Sequence, residues 1–173
     1  MIDEELWQEI RHLFTSSFSS TLHFSVASTG PGGEPCVTPV GSVLLGKPGR
    51  ACYFEMYAHR LGARLSADPR VCVLAVDSGK RLWLDALCRS RFSRLPAIRL
   101  RGRAHTETRA PTDEERDRML RRVRGARLLP GGKLLWPSFD CSVRDLDIDG
   151  VDPVRLGGLK TRGSRLGGPM RRD

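Results

Sequence analysis

The sequence predicts a mainly β domain with flanking helices, its antiparallel sheet closed into a barrel. Three observations carry this reading. The segments TLHFSVAST (21–29) and AIRLRGRAHTETRA (97–110) alternate apolar and polar residues with the period of a strand. Gly- and Pro-rich turns punctuate the chain between such segments. The helical patterns lie before, between and after these segments, so helices surround the sheet, and a small antiparallel sheet must close or pair to remove its edges.

The elements follow in order. From Asp3 to about Ser19, Leu6, Ile10, Leu13, Phe14 and Phe18 fall on one helical stripe, with Asp3 as N-cap and acids in the first turn. TLHFSVAST is the first strand, GPGGEP a turn, and CVTPVGSVLL (36–45) a second strand that completes a hairpin. Pro39 and Gly41 lie inside that second strand. A central, fully paired strand has no place for a proline, so an edge or a bulge is expected there. ACYFEM (51–56) is the third strand. HRLGARL, from His59, is a short helix ended by Asp68-Pro69, because a residue before proline is driven out of helical geometry. VCVLAVD (71–77) is apolar on both faces and reads as a well-buried fourth strand. RLWLDALCRSRF (81–92) is compatible with a helix or a loop insertion. After the long strand 97–110, Thr112 and Glu115 form a capping box before a helix with Met119, Leu120, Val123 and Ala126 on its apolar side. LLPGGKLLWPS is a turn-rich crossing, and Val143, Leu146 and Ile148 mark the last strand.

At 173 residues the chain is long enough for one domain with a real core. That domain is placed at residues 1–159, followed by a basic tail at 160–173. No apolar run approaches the length of a membrane span, and MIDEELWQEI is not a signal peptide, so a cytoplasmic protein without a membrane partner is expected. The five cysteines are scattered and form no CxxC pair, and the four histidines show no ligand spacing. Neither disulfides nor a metal site are therefore expected.

The net charge is +9, and between Arg89 and Arg127 thirteen arginines face five acids. Such a balance suits a nucleic-acid surface. Aromatics are only 6% of the chain and do not interleave with the basic residues, which weighs against nucleic-acid binding. On the helix after the third strand, Arg60 and Arg64 share a face. They are a solvated face, an ion pair with a neighbouring acid such as Asp68, or an anion site at a helix N-terminus.

The stretches SVASTGPGGEPCVTPVGSVLL, ACYFEMYAHRLGARLSADPRVCVLAVD and IRLRGRAHTET resemble, in order and spacing, the FMN-binding split barrels related to pyridoxamine 5′-phosphate oxidase. The resemblance covers about residues 21–110. It implies a six-stranded antiparallel Greek-key split barrel, built as a homodimer whose partner completes a flavin site. In such proteins the FMN ring edge rests on the second strand, here Thr38, Pro39, Val40, Gly41 and Ser42. The phosphate lies at the start of the short helix, which by matched position makes Arg60 its ligand, with His59 and Arg64 beside it. Glu55 and Met56, at the end of the third strand, join this candidate set, although as residues they read equally as a plain strand end. The implied activity is a flavin-dependent oxidoreductase acting on a small-molecule substrate; no catalytic acid–base pair can be named.

Four departures qualify the resemblance. The family's lysine after the arginine falls on Leu61, and a common Ser or Thr falls on His59. The C-terminal Arg-x-His substrate clamp of the full oxidase has no counterpart in RLGGPMRRD. VDPVRLGGL resembles a haem-utilising branch, yet no histidine follows His105 to serve as its axial ligand. The competing readings are a basic binding module that has lost its cofactor, for nucleic acid or another anion, and a haem- or deazaflavin-binding relative.

Overall fold

The structure is a computed structural model, which describes residues 2–154 and 159–161. The tail assigned to residues 160–173 lies outside the described residues beyond Thr161. The chain opens with helix α1 (Glu4–Thr21), then strands β1 (Phe24–Thr29), β2 (Pro35–Val40), β3 (Val43–Leu45) and β4 (Arg50–Phe54). Helix α2 (His59–Ala67) leads to β5 (Arg70–Val76), α3 (Lys80–Arg89), the short β6 (Arg91–Phe92) and the long β7 (Ala97–Arg109). Helix α4 (Asp113–Val123), a 3-10 turn (Ala126–Leu128) and α5 (Pro130–Leu135) precede β8 (Val143–Val154) and β9 (Lys160–Thr161).

Seven strands form one antiparallel sheet in the order β2-β1-β5-β7-β8-β4-β3. Its two outermost strands, β2 and β3, are consecutive in sequence and separated only by Gly41 and Ser42. Val40 and Val43 can be no more than about 11 Å apart across that link, so the two ends of the sheet meet and the sheet curls into a barrel. This is the predicted antiparallel split barrel, with one difference. The second strand expected at 36–45 breaks at Gly41-Ser42 and serves both edges as two strands, which makes seven strands where six are expected.

Proline in that strand is explained by the same topology. Pro39 sits on β2, which pairs on one side only, with Ser25 of β1 opposite. The other edge, β3, has its carbonyls covered by side chains. Arg122 donates to Val43 O at 2.5 Å, Arg118 to Leu45 O at 2.7 Å, and both Arg11 and the Trp7 indole (2.9 Å) to Gly46 O. An unpaired edge invites pairing with another chain, and these donors close it. Part of the arginine richness thus has an internal use. Arg122 is pushed down to about 10 by burial and by neighbouring Arg118, and its guanidinium lies 5.1 Å from the Phe18 ring centre.

The core fills the barrel from alternate positions: Phe24 and Val26, Val71 and Val73, Ile98 and Leu100, Leu146 and Ile148. Helix α1 lays Trp7, Ile10, Phe14 and Phe18 against it, with Phe14 stacked on Phe24 at 4.7 Å. Asp3 caps α1 by accepting from the Leu6 amide at 2.7 Å, as expected. The Thr112–Glu115 capping box also forms, and α4 buries Met119 and Val123 while Leu120 stays exposed. The stretch 81–92 is helical as far as Arg89 (α3) and ends in β6; Leu82 and Ala86 of the helix pack with Phe92 of β6 in a small separate cluster. Within β7, Gly102 is required: a Cβ there would lie 1.9 Å from Asp147 O, at a register shift against β8.

Candidate functional site

The link Gly41-Ser42 and the N-terminus of α2 come together on one side of the barrel. Around them run two adjoining compartments. One, of about 580 Å³, is lined by Cys36, Val37 and Thr38 of β2 and by Tyr57 to Leu61 and Arg64 of α2 and its lead-in. The other, of about 100 Å³, is lined by Thr38, Pro39, Val40, Gly41 and Ser42, by Met56 and Tyr57, and by Leu135 and Trp136 from the far side. Thr38, Tyr57 and Ala58 belong to both, so the two form one cleft. Nine of the ten residues singled out from the sequence line it.

The larger compartment has the character of an anion site. No side chain caps the N-terminus of α2, where Ala58 occupies the cap position. A helix start offers unpaired amides and the positive end of its dipole. Arg60 and His59 are exposed at that point. Arg64 is held in place: its Nε donates to Ser28 Oγ at 3.0 Å and one Nη to Thr38 Oγ1 at 2.8 Å. It thereby ties α2 to both β1 and β2. Neither arginine pairs with Asp68, which is engaged by Arg70 at 2.6 Å and is held below the usual carboxylate range by that contact. The ion pair with Asp68 is therefore removed, while for the exposed Arg60 a solvated face and an anion site both stay open.

Leu61, at the position of the family's lysine, is fully buried in the barrel core. That position of α2 packs here as an apolar anchor, together with Leu65. Ser42 has no free hydroxyl, since its Oγ donates to Phe54 O at 3.0 Å and accepts from the Phe54 amide at 3.2 Å. Glu55 lies beneath the cleft and does not line it. Its Oε1 accepts from Arg144 Nε at 2.5 Å and from the Tyr53 hydroxyl at 2.9 Å. Burial and the Glu55 charge drive the Tyr53 hydroxyl far above its ordinary pKa. Arg144 is itself 4% exposed and also donates to the carbonyls of His105 and Thr106, both at 2.7 Å. The Glu55 carboxylate stands 2.7 Å from where a Cβ on Gly62 would be, so this network supports the first turn of α2 from below.

Sequence reasoning passed over Ser28, Tyr57 and Trp136. Trp136 carries a signal in hindsight: a tryptophan in a Gly- and Pro-rich crossing, far from any strand, needs a partner to bury it. Elsewhere, Cys52, Glu115 and Asp145 bring possible metal-ligand atoms within 4.8 Å of one another. The cation among them is Arg109, whose guanidinium contacts both oxygens of Glu115 and both of Asp145 at 2.7–2.8 Å. The Glu115 carboxyl is held down to about 2, chiefly by Arg109, and burial followed by the Glu115 charge pushes the Cys52 thiol up to about 12.

The curled antiparallel sheet, the Gly41-Ser42 link between its outermost strands and the cleft at the mouth of α2 define the split-barrel class of protein. Within it, the chain belongs to the pyridoxamine 5′-phosphate oxidase family, whose model matches residues 7–134. No curated protein sequence matches. Among solved structures, the chain is similar to HupZ of Group A Streptococcus, at 15% identity over 89% of this chain and 94% of that one, with a TM-score of 0.52. It is also similar to a protein related to general stress protein 26, of the pyridoxinephosphate oxidase family, from Clostridium acetobutylicum (15% identity; 89% and 91% covered; TM-score 0.53). An FMN-binding protein from Syntrophomonas wolfei matches at 12% identity over 88% and 94%, with a TM-score of 0.50. These likenesses are of fold. Among the described residues, no helix is long and apolar enough to cross a membrane.

Proposed function

We propose that the chain is an FMN-binding flavoprotein, a flavin-dependent oxidoreductase acting on a small-molecule substrate, with a second copy of the chain completing the site. The observation that carries this reading is the meeting of two features in one cleft. An uncapped helix N-terminus bearing Arg60 faces a strand link of small residues, Gly41 and Ser42. The first suits a phosphate: unpaired amides, a favourable dipole and a guanidinium able to make two hydrogen bonds. The second suits the edge of a flat ring, which needs accessible backbone and little side chain. Membership of the family supports the choice of FMN, as does the FMN-binding neighbour.

The fit of the cofactor differs between the two compartments. The 580 Å³ compartment has room for a phosphate and its sugar-alcohol chain. The 100 Å³ compartment, with Trp136 beside Gly41, is smaller than a tricyclic ring. FMN, when bound, would supply the electron-transfer chemistry. The chain's part is to hold the phosphate with Arg60 and the α2 amides, to keep Arg64 fixed between β1 and β2, and to offer the Gly41-Ser42 backbone to the ring. The test separates phosphate from ring. Arg60→Ala is expected to weaken FMN binding by roughly 10- to 100-fold, the range of a lost charge-assisted contact, while riboflavin binding stays unchanged. Equal losses for both ligands, or none for FMN, would refute the phosphate assignment.

A further inference from the structure

We propose that the segment 126–136 is a strap that closes the ring compartment of the cleft and swings outward to admit a flat aromatic ring. The inference rests on the reading of this cleft as a flavin site, and it concerns how that site is gated.

The two compartments of the cleft are unequal for a visible reason. The smaller one, about 100 Å³, falls well short of the roughly 300 Å³ at which small-molecule sites begin. It is closed by Leu135 and Trp136, and the indole lies 3.8 Å from the place a Cβ on Gly41 would occupy. Trp136 lines the smaller compartment and not the larger, so moving the indole away would widen the space over the Gly41-Ser42 rim from its far side.

The strap is lightly held. Its backbone hydrogen bonds are local: Leu128 to Gly125, Leu129 to Ala126, Gly132 and Lys133 to Leu129, and Trp136 to Gly132. Ala126 and Trp136 pack against the barrel core, but Leu128, Leu129, Leu134 and Leu135 stand 56–81% exposed, so the strap's apolar burial rests on its two ends. The hydrogen bond that ties it to the cleft wall runs from the exposed Tyr57 hydroxyl to Leu134 O, at 3.2 Å. Few buried contacts and solvent-facing hydrogen bonds are what mark a segment that opens at low cost. Tyr57 also lines both compartments, which makes it the latch as well as part of the wall.

The test uses the full chain and two readouts. In hydrogen exchange without ligand, the amides of residues 128–136 are expected to exchange at least 100-fold faster than those of β5 and β7, and faster again in Tyr57→Phe. In stopped-flow mixing with FMN, Trp136→Ala is expected to associate at least tenfold faster than wild type, and Tyr57→Phe roughly threefold faster. Strap amides as protected as the strands, or FMN association at the wild-type rate in both variants, would overturn the gate while leaving the flavin reading in place. If neither wild type nor variants bind FMN, the flavin reading fails and the gate falls with it. Tyr57→Phe keeps the test decisive if Trp136→Ala does not fold.

Discussion

At the scale of single residues, Leu61 and Glu55 changed meaning once placed in three dimensions. In the sequence, Leu61 is a missing charge; in the fold it is a fully buried anchor of α2. Restoring the family's residue should therefore harm the protein without aiding the site. Leu61→Lys is expected to cost about 3 kcal/mol or more, since it buries an amine where no partner waits, and to lower the melting temperature by roughly 6–12 °C. Thermal unfolding checks this, and a variant as stable as wild type with tighter FMN binding would mean that a lysine placed at position 61 carries its amine out of the core and into the cleft. Glu55 was legible as a strand-end acid, but not as the partner of Arg144, 89 positions later. No local pattern encodes so distant an ion pair. Arg60 was singled out by its matched position in the family, since the helix face alone reads equally as solvated; Trp136 was passed over because its neighbour Gly41 comes from across the cleft.

At the scale of elements, caps and periodicities were readable and breaks were not. The Asp3 cap, the Thr112–Glu115 capping box and the alternation in β1 and β7 are all local, and each forms. The expected single strand 36–45 broke because β2 and β3 serve opposite edges of the sheet, a matter of closure that period alone does not report. Stretch 81–92 stayed open between helix and loop because its buried residues, Leu82, Ala86 and Phe92, make only a small cluster of their own with Trp83 and Leu159. The join of α4 to the sheet makes a pH prediction. Glu115 has its pKa lowered from 4.5 to about 2, chiefly by Arg109, so its contribution to stability is fully present above the unfolded value and is lost as pH falls towards 2. Glu115→Gln is expected to destabilise the protein by about 1–3 kcal/mol at pH 7, with the difference from wild type shrinking below about pH 4.5 and vanishing only below about pH 2. Denaturant melts across that range measure it; a difference independent of pH would show that the pair is electrostatically idle.

At the scale of the whole molecule, the antiparallel barrel follows from one covalent fact: the outermost strands of a seven-stranded sheet are two residues apart in sequence. That closure places the Gly41-Ser42 link beside the mouth of α2 and so creates the cleft. The same closure explains why fold was more legible than function. Alternation, turns and the need to remove edges lead to a barrel on general grounds, whereas the cleft's ligand depends on a few side chains whose neighbours come from β1, β2, α2 and the strap. The arginine excess, which first suggested a polyanion partner, is spent in part on edge carbonyls and on pairs such as Arg101–Asp152, Arg70–Asp68 and Arg109 with Glu115 and Asp145. The most direct test of the central claim is a titration of the full chain with FMN, followed by flavin fluorescence and absorbance. The account predicts saturable quenching at one FMN per chain, with a dissociation constant of roughly micromolar or below. Unchanged flavin fluorescence at protein concentrations of roughly hundreds of micromolar would contradict it.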